Sequence, residues 1–334
     1  MADYKGIRGI SIETIAGDPA NPLVGQVWYN TTSNVLKCYK YHVGTGAWSS
    51  GTSSPVHHVD GGGAGTQTAY LAISGFLAPA HAGNQAYDGT TWTTVNSLVQ
   101  KRYGNYANLG TQTACITAGG SGSPASSVEI YDGTCFTETV DVNRTTGNTA
   151  MGGAGTTTAG LVFKGNPGNV VLTETWNGTA WTEVNDSSNG SHGGFGIGTS
   201  TAALACGGNA PPSPPPTYIA KTETWDGTNW TEVADLNSGR GKGGAAGTQT
   251  AGLVAGGNPG ASPGAALTEK WDGTSWTEVG DMGTARYACF GTPSGTTLAA
   301  LVTGGWRTGT PGFQTTVEEW DDPTGNAVKT FTSS

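Results

Sequence analysis

Charge is scarce in this sequence, and long apolar runs are missing. Only 12% of its 334 residues are charged, and fifteen basic against twenty-four acidic residues leave a formal net charge of −9. Such a surface has no general attraction for phosphates, and Lys101-Arg102 is the one adjacent basic pair, which argues against nucleic-acid binding as the primary role. No apolar stretch approaches the roughly 20 residues that span a bilayer. The opening MADYKGIRGISIET lacks the apolar segment of a secretory signal, so the expectation is synthesis in a cytoplasm or export by another route. The cysteines, at 38, 115, 135, 206 and 289, are odd in number, far apart and without a CxxC pair, which reads as free thiols used as small hydrophobes. None of the glycine clusters is followed by the Lys-Ser/Thr of a phosphate-binding loop, and no serine nucleophile elbow occurs.

The hydrophobic fraction of 35% is also low, yet little charge and eleven Trp argue against disorder. What fills the chain is repetition. Aromatics recur before a tight turn at Tyr87 (YDGTTW), Tyr131 (YDGTCF), Trp176 (WNGTAW), Trp225 (WDGTNW), Trp271 (WDGTSW) and Trp320, in steps of 44 to 49 residues. Tyr41, in YHVGTGAW, lies another 46 residues upstream and reads as a degenerate first member. Between these turns runs a second element, ending in Gly-Gly in its clearest copies: 63–76, 109–120, 153–165, 196–208, 245–257 and 294–305. A period in this range is that of propeller blades.

Each repeat reads as four short strands: a glycine-rich one such as GKGGAA, then TAGLVAGG, LTEKW and WTEV. Asp-Gly or Asn-Gly between the last two is a strong hairpin signal, because glycine takes positive φ freely. The hairpin brings its two aromatics together, and rings burying roughly 150–250 Å² each would fill the layer between neighbouring sheets. Glycine and alanine in the first two strands would let the sheets converge on an axis. Large outside and small inside makes a wedge, and wedges close into a ring.

A small residue or arginine, an apolar strand ending in Gly-Gly, then Tyr or Trp and a second Trp resembles the kelch repeat, best over 192–281 with Gly207-Gly208, Trp225 and Trp230, then Gly256-Gly257, Trp271 and Trp276. The wording AGTQTAGLVAGG with YDGTTW is similar to repetitive proteins of tailed bacteriophages, and GDPANPLVGQVWYNTTSNVLKCYKYHVGTGAW is similar to an N-terminal segment of phage tail-fibre and other virion proteins. The resemblance implies an all-β, kelch-like β-propeller. Seven four-stranded blades are expected, with six blades plus an N-terminal docking hairpin as the alternative. Residues 1–55 form the N-terminal hairpin segment and 56–334 the blades. Val24–Tyr29, Val35–Tyr41 and Ala47–Ser50 are expected as three strands of blade one, with a fourth from Gly9–Thr14 or from the C-terminal VKTFTSS.

Candidate chemistry is thin. Of the histidines at 42, 57, 58, 81 and 192, only His57-His58 are adjacent, and neighbours on a strand point to opposite faces. Glu174, Glu183, Glu223, Glu232, Glu269 and Glu278 repeat by symmetry in TE pairs and read as solvent-facing, not as two carboxylates opposed across a substrate. Asp226 and Asp272 belong to turns. Trp306, beside Arg307, stands outside the turn ladder and reads as a packed loop anchor, with recognition as the second reading. No catalytic, cofactor-binding or metal site is assigned, and no enzyme is expected. The resemblance implies a structural virion protein, tail- or fibre-associated, made in a bacterial cytoplasm. Its partners would be other phage virion proteins. A host-surface glycan-binding propeller and a head decoration protein are the alternatives, and homo-oligomerisation stays open.

Overall fold

The computed structural model describes residues 12–20, 26–42, 46–76, 81–104, 107–122, 124–146, 148–168, 170–210, 217–260, 264–307, 312–322 and 325–330. Strands and turns account for its secondary structure, and no described helix is long and apolar enough to cross a membrane. The chain divides into two compact units, Gly46–Asp321 and a smaller one from Met1–Thr45 with Asp322–Ser334.

The larger unit is a ring of six antiparallel blades. Blade one runs from the inside outward as Gly62–Thr66, Ala69–Gly75, His81–Tyr87 and Trp92–Val95. Blades two to five repeat this order over 107–138, 152–184, 195–232 and 244–278. The innermost strands of blades one to five touch in succession. Ala299–Thr303 of blade six touches the innermost strands of both blade five and blade one, which closes the circle.

The repeat therefore has six members in the ring, not seven. Ala47–Gly51, expected in a blade with Val35–Tyr41, pairs instead with Val317–Asp321 and is the outer strand of blade six. Trp48 stands opposite Trp320 in register, with ring centroids 5.4 Å apart, as Trp225 stands to Trp230 and Trp271 to Trp276 at 5.4 and 5.3 Å. The first and last rungs of the aromatic ladder are thus two halves of one blade, joined across the ends of the chain. The N-terminal hairpin goes elsewhere. Val27–Asn30 and Val35–His42 form the smaller unit's sheet with Glu13–Ile15 and Gly325–Thr330, so both ends of the chain supply a strand, where one or the other was expected and as part of a ring blade. There Asp18 accepts hydrogen bonds from Lys37 (2.9 Å), Asn30 (2.7 Å) and the buried Trp28 (3.2 Å), and the Lys37 bond leads in holding its carboxyl below the usual range.

Blade five shows why the sequence folds this way. The Asp272 carboxylate accepts the N–H groups of Thr274 and Ser275, both at 2.8 Å, which fixes the turn at Gly273 (φ 96°). These bonds, with that of the Thr274 hydroxyl foremost, draw the Asp272 carboxyl down to about 2. The same turn holds at Asp88, Asp132, Asn177 and Asp226. The Trp271 indole donates to the carbonyl of Gln249 in the blade's other hairpin (2.9 Å), and Trp276 reaches back to Thr222 of blade four (3.2 Å). The Gln249 side chain crosses the same seam to the carbonyls of Ala203 and Trp225, as Gln112 does from blade two and Gln67 from blade one. The core is consequently spread over the seams, for example Ile197 and Leu204 of blade four against Val254, Trp271 and Trp276 of blade five.

Near the axis the innermost strands approach backbone to backbone. A Cβ on Gly196 would lie 2.7 Å from the Gly153 nitrogen and closer still to its carbonyl oxygen, neither of which can rotate away. Gly196→Ala is expected to cost about 1–3 kcal/mol, read as a shift in the urea midpoint. Gly17→Ala, where no atom lies within 4 Å, should leave the midpoint unchanged.

Candidate functional site

Six residues just ahead of the innermost strands take positive φ: Asp60 (50°), Gly104 (67°), Ala150 (51°), Gly193 (63°), Lys242 (61°) and Ala288 (55°). Their main chains encircle one end of the channel. The N–H of Gly104 donates to Asp60, Ala150 to Gly104 (2.6 Å), Gly193 to Ala150 (2.7 Å), Lys242 to Gly193 (2.6 Å) and Asp60 to Ala288 (3.1 Å). Glycine adopts this conformation without strain, whereas a Cβ there costs free energy. Two of the strained positions carry charge, and Lys242 Nζ lies 3.3 Å from the Asp60 carboxylate. They belong to blades five and one, so their contact reaches past blade six, where no main-chain bond between Lys242 and Ala288 occurs among the described residues.

This mouth opens into a basin of about 390 Å³, lined by Asp60, Tyr103, Ser121, Asn166, His192 and Lys242 among others, contributed by five blades. Below it the channel narrows to about 50 Å³ between glycines such as Gly62, Gly153, Gly243 and Gly291. Burial, with the Lys242 cation in second place, lowers the His192 pKa, so the imidazole is neutral at pH 7. Its Nδ1 is buried with no hydrogen-bond partner. Tyr103 packs edge to face against Phe76 at 5.2 Å. Near Asp60, burial first and the charges around it second raise Tyr218 to about 12 and move Tyr287 in the same direction, which keeps both phenols as donors.

The repeated glutamates divide into two sets. Glu183, Glu232 and Glu278, on the outer strands, are exposed as expected, but Glu174, Glu223 and Glu269, on the third strands, are buried. That corrects the solvent-facing expectation for the second set. A third strand is covered on both faces by neighbouring blades, so a polar residue there must find partners inside. Arg240 pairs with Glu269, Arg144 with Glu174 (2.8 Å) and Lys164 with Glu223 (2.9 Å). Arg102 with Glu129 (2.5 Å) and Arg286 with Glu318 follow the same plan in blades two and six. The carboxylates also accept main-chain N–H groups from the segment linking the preceding blade: Asn237 to Glu269 (2.8 Å), Asn143 to Glu174 (2.7 Å) and Val99 to Glu129 (2.7 Å).

The other candidates are placed as follows. His58 is buried where three other blades have arginine, two residues ahead of the positive-φ position, and its Nδ1–H meets the Ser74 carbonyl at 2.7 Å. His57 stacks on Phe313 at 5.1 Å. The side chains of His42 and His81 lie outside the described residues. Asp226 and Asp272 hold turns, as expected. Trp306 is half-buried edge-on to Tyr287 at 5.4 Å, a packed loop anchor, and its neighbour Arg307 is likewise half-buried. All five thiols are free. Cys115, Cys206 and Cys289 are buried, with burial pushing Cys206 up to about 12, whereas Cys38 is half-buried and Cys135 exposed. The mouth residues Asp60, Lys242 and Tyr103 were not legible as a set, although GRGKGG does put a lysine where four sister repeats have Gly or Ala.

No family model and no curated protein matches the chain. Among solved structures it is similar to YjhT, at 13% identity, over 84% of this chain and 99% of that one, with a TM-score of 0.65. The fold is a β-propeller. At that identity the likeness carries the fold alone, and any activity has to be argued from the residues of this chain.

Proposed function

We propose that this chain is a structural protein of a tailed bacteriophage virion, tail- or fibre-associated, in which the propeller serves as a docking and presentation module and not as an enzyme. The observation that supports this reading is the use made of the repeated polar residues. The buried glutamates fasten the segments between blades, the turn aspartates cap hairpins, and the TQT glutamines bridge seams. The repeat is spent on holding the ring together. The phage-like N-terminal segment folds with the C-terminal strand Gly325–Thr330 into a unit of its own, a natural candidate for attachment to other virion proteins.

The test is quantitative protein composition of purified particles from the source lysate, with imaging of antibody-labelled particles. A fixed copy number at one location is the expected result. Absence from intact particles would remove the virion reading.

A further inference from the structure

We propose that the basin at the channel mouth is a binding site for a neutral saccharide unit, gripped by the Asp60–Lys242 pair and Asn166 and laid against Tyr103. This goes beyond the virion reading and does not depend on it.

The first support is strain. Lys242 occupies a positive-φ position (61°) at which blades two and four have glycine, Gly104 and Gly193, and Asp60 does the same at 50°. Glycine would make the same main-chain bonds without strain, and Ala150 and Ala288 make them with no polar side chain, so those bonds do not call for a lysine or an aspartate. What they add is a cation and a carboxylate suspended 3.3 Å apart over the mouth. Strained positions of this kind concentrate at ligand-holding sites.

The second support is the chemistry of the lining. Asp60 and Lys242 balance each other, and His192 is neutral. A site with balanced charge does not select a free ion. It does offer many directed hydrogen-bonding groups from separate blades: a carboxylate that accepts, an ammonium that donates, and in Asn166 and Ser121 groups that do both. A polyol matches this, since every hydroxyl both donates and accepts.

The third support is shape. The 390 Å³ basin falls within the range of small-molecule sites, which join an apolar wall to a few converging polar groups. Tyr103 is that wall. Its ring is fixed by the edge-to-face contact with Phe76 at 5.2 Å and can meet the C–H face of a pyranose.

The experiment is isothermal titration of the full chain with four neutral probes, maltose, cellobiose, lactose and N,N′-diacetylchitobiose. Two anionic probes, glucuronate and inorganic phosphate, accompany them. At least one neutral probe is expected to bind, and Lys242→Gly to weaken it by about tenfold or more, the worth of a charge-assisted hydrogen bond. Because glycine takes φ of 61° without strain, Lys242→Gly should keep the wild-type Tm, which separates lost binding from lost folding. Tyr103→Ala should weaken the same probe. Failure of all four neutral probes, binding of the anions alone, or neutral-probe binding indifferent to both substitutions would each overturn the proposal. Particle composition is untouched by any of these results, so the two proposals fail separately.

Discussion

Replacing Glu269 with alanine is expected to lower stability by about 3–5 kcal/mol, the penalty for removing one partner of a buried ion pair. Its carboxylate is 1% exposed and pairs with the fully buried Arg240, while its other oxygen accepts the Asn237 main-chain N–H at 2.8 Å and the Asn237 side chain at 2.9 Å. The substitution strands a guanidinium and an N–H in a seam that water does not reach. Glu278 provides the control. It faces Glu269 in register on the next strand and belongs to the same TE repeat, but it is exposed. Glu278→Ala should stay within about 0.5 kcal/mol of the parent. Urea midpoints for the two variants test the division directly. Equal, small losses would show that the third-strand glutamates are solvated as the repeat pattern first suggests. The double change Arg240→Met with Glu269→Leu should lose less than Glu269→Ala, because it leaves no charge unpaired.

That pair also marks how far the sequence could be read. Turns and Gly-Gly units were legible because their causes are local: Asp272 bonds to residues two and three positions on, and glycine supplies the positive φ. The burial of Glu269 was not, because period-two alternation assumes one covered face per strand. In Thr268–Trp271 both Thr268 and Glu269 are buried and only Lys270 is half-exposed, since adjacent blades cover both faces. Its partner lies 29 residues upstream in a connecting segment, with no fixed spacing to announce it. A weak signal did exist: Arg102, Arg240 and Arg286 each stand two residues ahead of a positive-φ position. The mouth was hidden for a related reason. Asp60 and Lys242 are 182 residues apart and meet only after the ring has formed.

Trp48→Ala is expected to cost about 3 kcal/mol or more, in the range for truncating a large aromatic at a packed seam. The blade count hangs on this residue. Tyr41 lies 46 residues before Tyr87, in step with the ladder, and Trp48 follows it after a Gly-containing turn, which is why residues 1–55 suggested a blade of their own. In the ring, however, Trp48 makes the contacts of an outer-strand tryptophan of blade six. It packs on Trp320, and its indole donates to the Thr268 hydroxyl of blade five at 2.9 Å, as Trp276 does to Thr222 and Trp230 to Thr173. Removing it should weaken the closure of the ring more than it weakens any locally formed hairpin. Hydrogen exchange should therefore show protection lost first in Val317–Asp321, the strand that Ala47–Gly51 covers. Trp48→Phe should fall between the two, since it keeps a ring against Trp320 but loses the bond to Thr268. Unchanged protection across 317–321 in Trp48→Ala would mean that blade six closes without its N-terminal strand, and the six-blade closure would have to be redrawn.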